Sequence, residues 1–246
     1  MQIRHTDKNV LVTGAATGIG KAIAEAFADC GAKVFINHLN QHDLANDMLA
    51  HPNIVAAFSA DVGNKKAVEH MISSISSSHG AIDILINNAG ISQPEPFLEI
   101  EEAQWDKTFD TNVKGTMLCC QSVIPGMLVK GDGNIINIVS ELGYLGREHY
   151  AAYTASKGAL ITLTRSLARE FAPTIRVNGI APGPVLTDLL RNELKTDEDF
   201  TREMDIPLKR FAVAEEIAST AVFLSSEHAR FYCGDILSPN GGALMR

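Results

Sequence analysis

Apolar residues along this chain fall into two rhythms: short, nearly continuous runs rich in Val and Ile, and longer segments in which they recur at helical spacing. The short runs are KNVLVTG, AKVFINHLN, NIVAAFSADV, IDILINNAG, NIINIVS, TIRVNGIAP and GDILSPNGG, and each predicts a strand. Between them AATGIGKAIAEAFADCG, ending at Gly31, and NKKAVEHMISSISSSHG, ending at Gly80, predict helices. Three more follow: TFDTNVKGTMLCCQSVIPGMLVK, the segment from Tyr153 through GALITLTRSLAREFA, and EEIASTAVFLSSEHA. The first of these is too apolar to face water along its length, which predicts burial in the core and in a subunit contact. SQPEPFLEIEEAQWDK reads as a polar loop, and RNELKTDEDFTREMDIPLKR as a charged amphipathic lid spanning roughly 187–210. Pro239 interrupts the last strand and places it near a sheet edge.

A chain of 246 residues fits one large α/β domain, and no linker divides it. No apolar run approaches the ~20 residues that span a bilayer, and MQIRHTDKN lacks the hydrophobic centre of a signal peptide, so a cytoplasmic protein is expected. The net charge of −8, without a basic cluster, argues against nucleic acid or an anionic membrane as partner. Cys30, Cys119, Cys120 and Cys233 show no metal-knuckle spacing and read as reduced core thiols. His38 and His42 are four apart but lack an obvious third ligand, so no metal is expected.

The first strand breaks at Gly14, and a helical period follows. Gly14, Gly18 and Gly20 are spaced G-x-x-x-G-x-G, which lets bare backbone approach a pyrophosphate at a helix N-terminus. At the second strand's tip, where an acid often binds an adenosine ribose, this chain carries His38. Neither Thr17 nor Leu39 supplies the cation that a 2′-phosphate seeks; Asn37 can bond ribose hydroxyls and His38 can touch either group, so NAD is favoured over NADP. Asp61, beside Val62, can accept from an adenine amino group, and Asn88-Ala89-Gly90 makes a small turn beneath the cofactor or a plain turn. Val185 and Thr187 can hold a carboxamide, although Thr187-Asp188 equally suits a helix cap.

Tyr153 and Lys157 lie four apart in a helical segment, so their side chains rise from one face. An ammonium beside a phenol favours phenolate: moving a tyrosine from ~10 to ~7 asks for about 4 kcal/mol, which a close cation in a water-poor cleft can largely supply. Tyr153 then serves as acid and base. Ser140 ends the strand NIINIVS and opens onto the ligand crevice, where its hydroxyl can steady the same substrate oxygen. Asn112 is awkward in mid-helix and predicts a kink holding a water that links Lys157 to solvent. Glu141, Arg147, Glu148 and His149 form a polar loop suited to a sugar, polyol or hydroxy acid, with Arg147 able to pair a carboxylate; a solvated or interface role suits them equally.

These motifs together resemble the short-chain dehydrogenase/reductase family over nearly the whole chain. TGAATGIG at Thr13–Gly20, which includes Ile19, looks like that family's cofactor turn, Asp61-Val62 its adenine contact and NNAG at Asn87–Gly90 its fourth-strand turn. Asn112, Ser140, Tyr153 and Lys157 match its catalytic tetrad, and Pro182, Gly183, Val185 and Thr187 fall in its nicotinamide loop. The resemblance implies a single doubly wound Rossmann-like domain over 1–246, with a seven-stranded parallel sheet in the order 3-2-1-4-5-6-7 and helices on both faces. Its cofactor half would be roughly 1–140 and its substrate half roughly 140–246. It implies NAD(P)-dependent hydride transfer between a secondary alcohol and a ketone on a small polar substrate, Lys157 lowering the Tyr153 pKa and bonding the nicotinamide ribose, and commonly a homotetramer. Reduction of a 3-oxoacyl group on acyl-carrier protein is the alternative, although VKGDGN and EFAPT lack the arginines such reductases often present. A non-catalytic redox sensor is a third possibility of another class. Asn240 in SPNGG stands where the family usually has Asp.

Overall fold

A computed structural model describes residues 3–245. Among them seven strands form one sheet: β1 (Asn9–Val12), β2 (Lys33–His38), β3 (Ile54–Ser59), β4 (Ile84–Asn87), β5 (Gly133–Ile138), β6 (Ile175–Ile180) and β7 (Ile236–Leu237). Their order is β3-β2-β1-β4-β5-β6-β7 with every pair parallel, the doubly wound arrangement that the resemblance implies. The order reverses between β1 and β4, where loops leaving the strand tips diverge and open a ligand crevice.

Alternation across the strands explains the two layers of helix. Val10 and Val12 face one apolar cluster with Ile23 and Phe27 of α1 (Gly18–Asp29) and Ile217 and Ala221 of α10 (Ala214–Ser225). Leu11, between them, faces the other, with Met71 and Ile75 of α3 (Lys65–His79) and Val123 and Met127 of α5 (Gly115–Lys130). Each large side chain so buried contributes about 2 kcal/mol. α7 (Ala151–Phe171) packs along β6 and carries Tyr153 and Lys157. No helix among the described residues is long and apolar enough to cross a membrane.

Several local expectations are corrected. α2 (His42–Met48) is a short extra helix whose mixed polarity hides its period. The loop read over SQPEPFLEIEEAQWDK already contains the start of α4 (Glu102–Phe109). The apolar helix around Asn112 is two helices, α4 and α5, joined by one π turn at Asp110–Lys114, and its far end leaves Val129 92% exposed. The lid folds as α8 (Asp188–Glu193) and α9 (Asp197–Glu203), the latter started by a reciprocal Thr196–Asp199 capping box. A four-residue helix, α6 (Leu142–Leu145), follows Ser140. β7 pairs with β6 alone, at the sheet edge, as Pro239 suggested. Cys119 and Cys120 are core thiols, but Cys233 is exposed.

Candidate active site

The glycine turn between β1 and α1 is laced to the tip of β4. Thr13, 2% exposed, accepts at its hydroxyl from the backbone N–H of Asn88 and Ala89, while the Asn88 amide donates 3.0 Å bonds to the carbonyls of Thr13 and Gly14. That leaves no room for side chains. A Cβ on Gly20 would sit 2.4 Å from both the Asn88 amide and the Gly14 carbonyl, and Gly14, at φ +60°, would drive one to 2.8 Å from Ala89. Thr17 begins α1 without a side-chain cap, and the first turn holds no acid, so the N–H groups of Gly18, Ile19 and Gly20 remain for an anion. A bare cradle at an uncapped helix start fits the pyrophosphate of a dinucleotide, which Gly14, Gly18, Ile19 and Gly20 would hold.

At the tip of β2 the outcome differs from expectation. Asn37, 2% exposed, spends its amide on the backbone: it accepts from Gly14 and donates to His38, Phe58 and Ala60. It braces the glycine turn against β3 rather than offering itself to a ribose. His38 meets His42 edge to face, with centroids 4.9 Å apart, and burial and then the neighbouring imidazole push its pKa down, so it is a neutral ring. Asp61 accepts from Gly63 N–H at 2.8 Å in an exposed turn, and Val62 packs against Gly115. Gly90 lies against Asn112 and Lys157. Gly183 touches the Asn240 backbone, and the Asn240 side chain folds the terminus by bonding Gly242 N–H and the Leu244 carbonyl. Thr187 caps α8 by accepting from Leu190 N–H, and its methyl lies over Gly18.

The four tetrad residues converge from three segments: the π turn, the end of β5 and α7. Asn112, fully buried in the π turn, accepts from Ile91 N–H at 2.8 Å and donates to the Ile91 carbonyl and the Ser156 hydroxyl, both at 3.0 Å. Its side chain thus pins the chain after β4 to α7; the expected kink is present as the widened turn. Lys157 is 4% exposed, donates to the Ile138 carbonyl at 2.8 Å, and holds its ammonium 5.6 Å from the centre of the Tyr153 ring. Burial lowers its pKa to about 8. Tyr153 does not titrate near neutrality in this environment. Burial and then the Glu141 carboxylate push its phenol up, with Glu193 and Tyr150 adding to the shift and the Ser140 hydroxyl opposing it. The lysine's charge is itself desolvated while a carboxylate faces the phenol, so Tyr153 stands as a protonated acid.

An open cleft joins these parts. Ile19, Asn88, Gly90, Pro182, Gly183, Val185 and Thr187 line its cofactor side, with Ser140, Tyr153 and Lys157 at its reacting centre. Asn112 stands behind this wall, and Gly14, Thr17, Asn37, His38, Asp61 and Val62 lie further along the sheet edge. On the substrate side Glu141 and Arg147 belong to the lining, but Glu148 and His149 are exposed and outside it. Arg147 is also not free: it is bonded to Glu203 of α9. Tyr150, Glu193 and Glu203 were not singled out from the sequence, because the two acids sit in a uniformly charged stretch where nothing marks the inward-facing ones. Thr13 was visible only as part of the glycine motif.

Residues 14–243 match the profile of a family described as Enoyl-(Acyl carrier protein) reductase. The chain is 38% identical over 244 residues to a 3-oxoacyl-(acyl-carrier-protein) reductase FabG of Staphylococcus epidermidis, covering 97% of this chain and 100% of that protein. It is 36% identical over 244 residues to an NAD-dependent glycerol dehydrogenase of Listeria innocua, covering 98% and 95%. Among solved structures, a short-chain dehydrogenase/reductase of Brucella melitensis, titled glucose/ribitol dehydrogenase, superposes with a TM-score of 0.92 at 34% identity over the whole of both chains.

Proposed function

The chain belongs to the short-chain dehydrogenase/reductase family, and from that premise we propose that it interconverts a secondary alcohol and a ketone on a small polar substrate. It is an oxidoreductase of CH–OH groups that uses NAD(P). The observation that carries the proposal is the convergence of Ser140, Tyr153 and Lys157 in a cleft whose lining reaches Ile19 and Thr187, beside the bare glycine turn that starts α1.

In the direction of reduction Tyr153, held protonated by burial and by Glu141, donates its proton to the substrate carbonyl oxygen. The Ser140 hydroxyl steadies that oxygen as charge develops. Lys157, anchored on the Ile138 carbonyl, keeps its remaining N–H bonds for the nicotinamide ribose and the phenol. The bound cofactor supplies or accepts the hydride. Asn112 acts as a positioning residue, and the widened turn around it is where we place the water that returns protons to Lys157. Gly14, Thr17, Gly18, Ile19 and Gly20 hold the pyrophosphate, Asp61 and Val62 the adenine, and Pro182, Gly183, Val185 and Thr187 the nicotinamide. A neutral His38, with no cation at Thr17 or Leu39, supports NAD over NADP. A cytoplasmic homotetramer is part of the same proposal.

The charged substrate end of the cleft supports a small polar substrate. The names of the relatives support a second reading better, reduction of a 3-oxoacyl group on acyl-carrier protein. Alcohols, ketones, polyols, sugars and 3-oxoacyl thioesters should be screened with NAD and NADP side by side, following reduced-cofactor absorbance. Turnover of small polar substrates with NAD is the expected result. A preference for 3-oxoacyl thioesters would install the second reading, and silence across the panel would leave a dinucleotide-binding sensor.

A further inference from the structure

The substrate end of the cleft holds three carboxyl groups, Glu141, Glu193 and Glu203, against a single guanidinium, Arg147. Glu141 and Glu203 are each 5% exposed. Arg147 is bonded to Glu203 and lies 5.6 Å from the centre of the Tyr150 ring, so its charge is already neutralised and its face already covered. It is not a spare cation for an anionic substrate. The Tyr150 hydroxyl donates a 2.9 Å hydrogen bond to Glu193, which turns that carboxylate from a lid element, α8, into the cleft wall. Glu141 lies beside the reacting centre, 3.4 Å from the Ser140 hydroxyl. What remains on this wall is acceptor capacity next to the site of proton transfer.

That chemistry discriminates among substrates. A carboxylate or phosphate would enter a wall with excess negative charge and no free cation. An aliphatic chain would strip water from carboxylates and return no hydrogen bond. Hydroxyl groups satisfy them. We propose that Glu141 and Glu193 form a hydroxyl-accepting subsite that selects an uncharged polyhydroxylated substrate, a polyol or sugar with hydroxyls flanking the reacting carbinol. Glu141, following Ser140 in the chain, serves the hydroxyl nearest the reacting carbon, and Glu193 serves one further along. This inference rests on the alcohol–ketone reaction proposed for Tyr153.

The test compares kcat/KM for glycerol, ribitol and glucose with 2-propanol, 2-butanol, lactate, 3-hydroxybutyrate and a 3-oxobutyryl thioester. At least one polyhydroxylated compound should exceed every monohydroxy alcohol and hydroxy acid by about a hundredfold, since a site built to bond hydroxyls rejects analogues lacking them. In Glu141→Gln and Glu193→Gln, assayed at about pH 8.5 where the Glu141 carboxyl is ionised, that ratio should fall about tenfold, the loss of one charge-assisted bond, with most of the change in KM. A preferred hydroxy acid or thioester, or a ratio within twofold of wild type in both variants, overturns the inference. The wild-type panel alone decides if a variant does not fold. Turnover of simple alcohols without a polyol preference overturns the subsite but leaves the oxidoreductase standing, whereas no turnover of any compound with either cofactor overturns both.

Discussion

Burial of Glu141 works against the fold once its carboxyl ionises, and replacing it with Gln should raise stability in a pH-dependent way. Its carboxyl is pushed up from 4.5 to about 7, first by burial; its own backbone N–H, Arg147 and Ser140 offset part of that shift and Glu203 adds to it. A raised folded-state pKa means that the folded chain binds this proton more tightly than the unfolded one does. The contribution to stability is therefore complete below about pH 4.5 and lost as pH rises through about 7. A shift of this size corresponds to about 3 kcal/mol of burial penalty on the alkaline side. Gln is of similar size and neutral throughout. Glu141→Gln should exceed wild type by about 1 kcal/mol near pH 5 and by about 3 kcal/mol at pH 8.5. Urea unfolding of both proteins at equal concentration, in half-unit steps from pH 5 to 8.5, reads this directly, because all other titrations cancel in the difference. A gap that stays constant across the range would refute the reasoning.

Three other outcomes follow from the geometry. Tyr153→Phe should lower kcat roughly a thousandfold while leaving dinucleotide affinity within about twofold, by steady-state kinetics and calorimetry. Gly20→Ala must displace the Asn88 amide or the Gly14 carbonyl, each 2.4 Å from the new methyl; dinucleotide affinity should fall about tenfold to a hundredfold, and unchanged binding would show that the turn is not the cradle. Arg147→Ala takes the close cation from buried Glu203 and leaves it Arg202 at 4.0 Å, at a cost of up to about 3 kcal/mol; the urea midpoint should drop and amide exchange over 197–203 should quicken.

The sheet was legible because its strands are buried on both faces, so Val10–Val12, Val34–Ile36 and Ile84–Ile86 read as apolar runs whatever surrounds them. One helical turn put Tyr153 and Lys157 on a common face and a strand end put Ser140 at the crevice, but reading them with Asn112 as a tetrad rested on the resemblance of the whole set of motifs. The tyrosine's protonation was not legible. It depends first on burial and then on Glu141 and Glu193, all set by tertiary folding and leaving no local pattern. Asn37 illustrates the same limit. Its position at a strand tip suggested a ligand, but whether an amide faces a ribose or four backbone groups is decided by how β3 and the glycine turn close around it. The π turn at Asn112 was half legible, since an Asn in an apolar helix signals disturbance but not its form.

The pinning of Asn112 to Ile91 and Ser156 divides labour within this molecule. The tetrad is tied to sheet and core, while the opposite wall of the cleft hangs from α6, α8, α9 and the bends between them. Diversification can therefore proceed by exchanging roughly 141–150 and 187–210 as one cassette. Such grafts would retune preference and, through Glu141, Glu193 and Thr187, reach the acidity of Tyr153 and the cofactor wall as well.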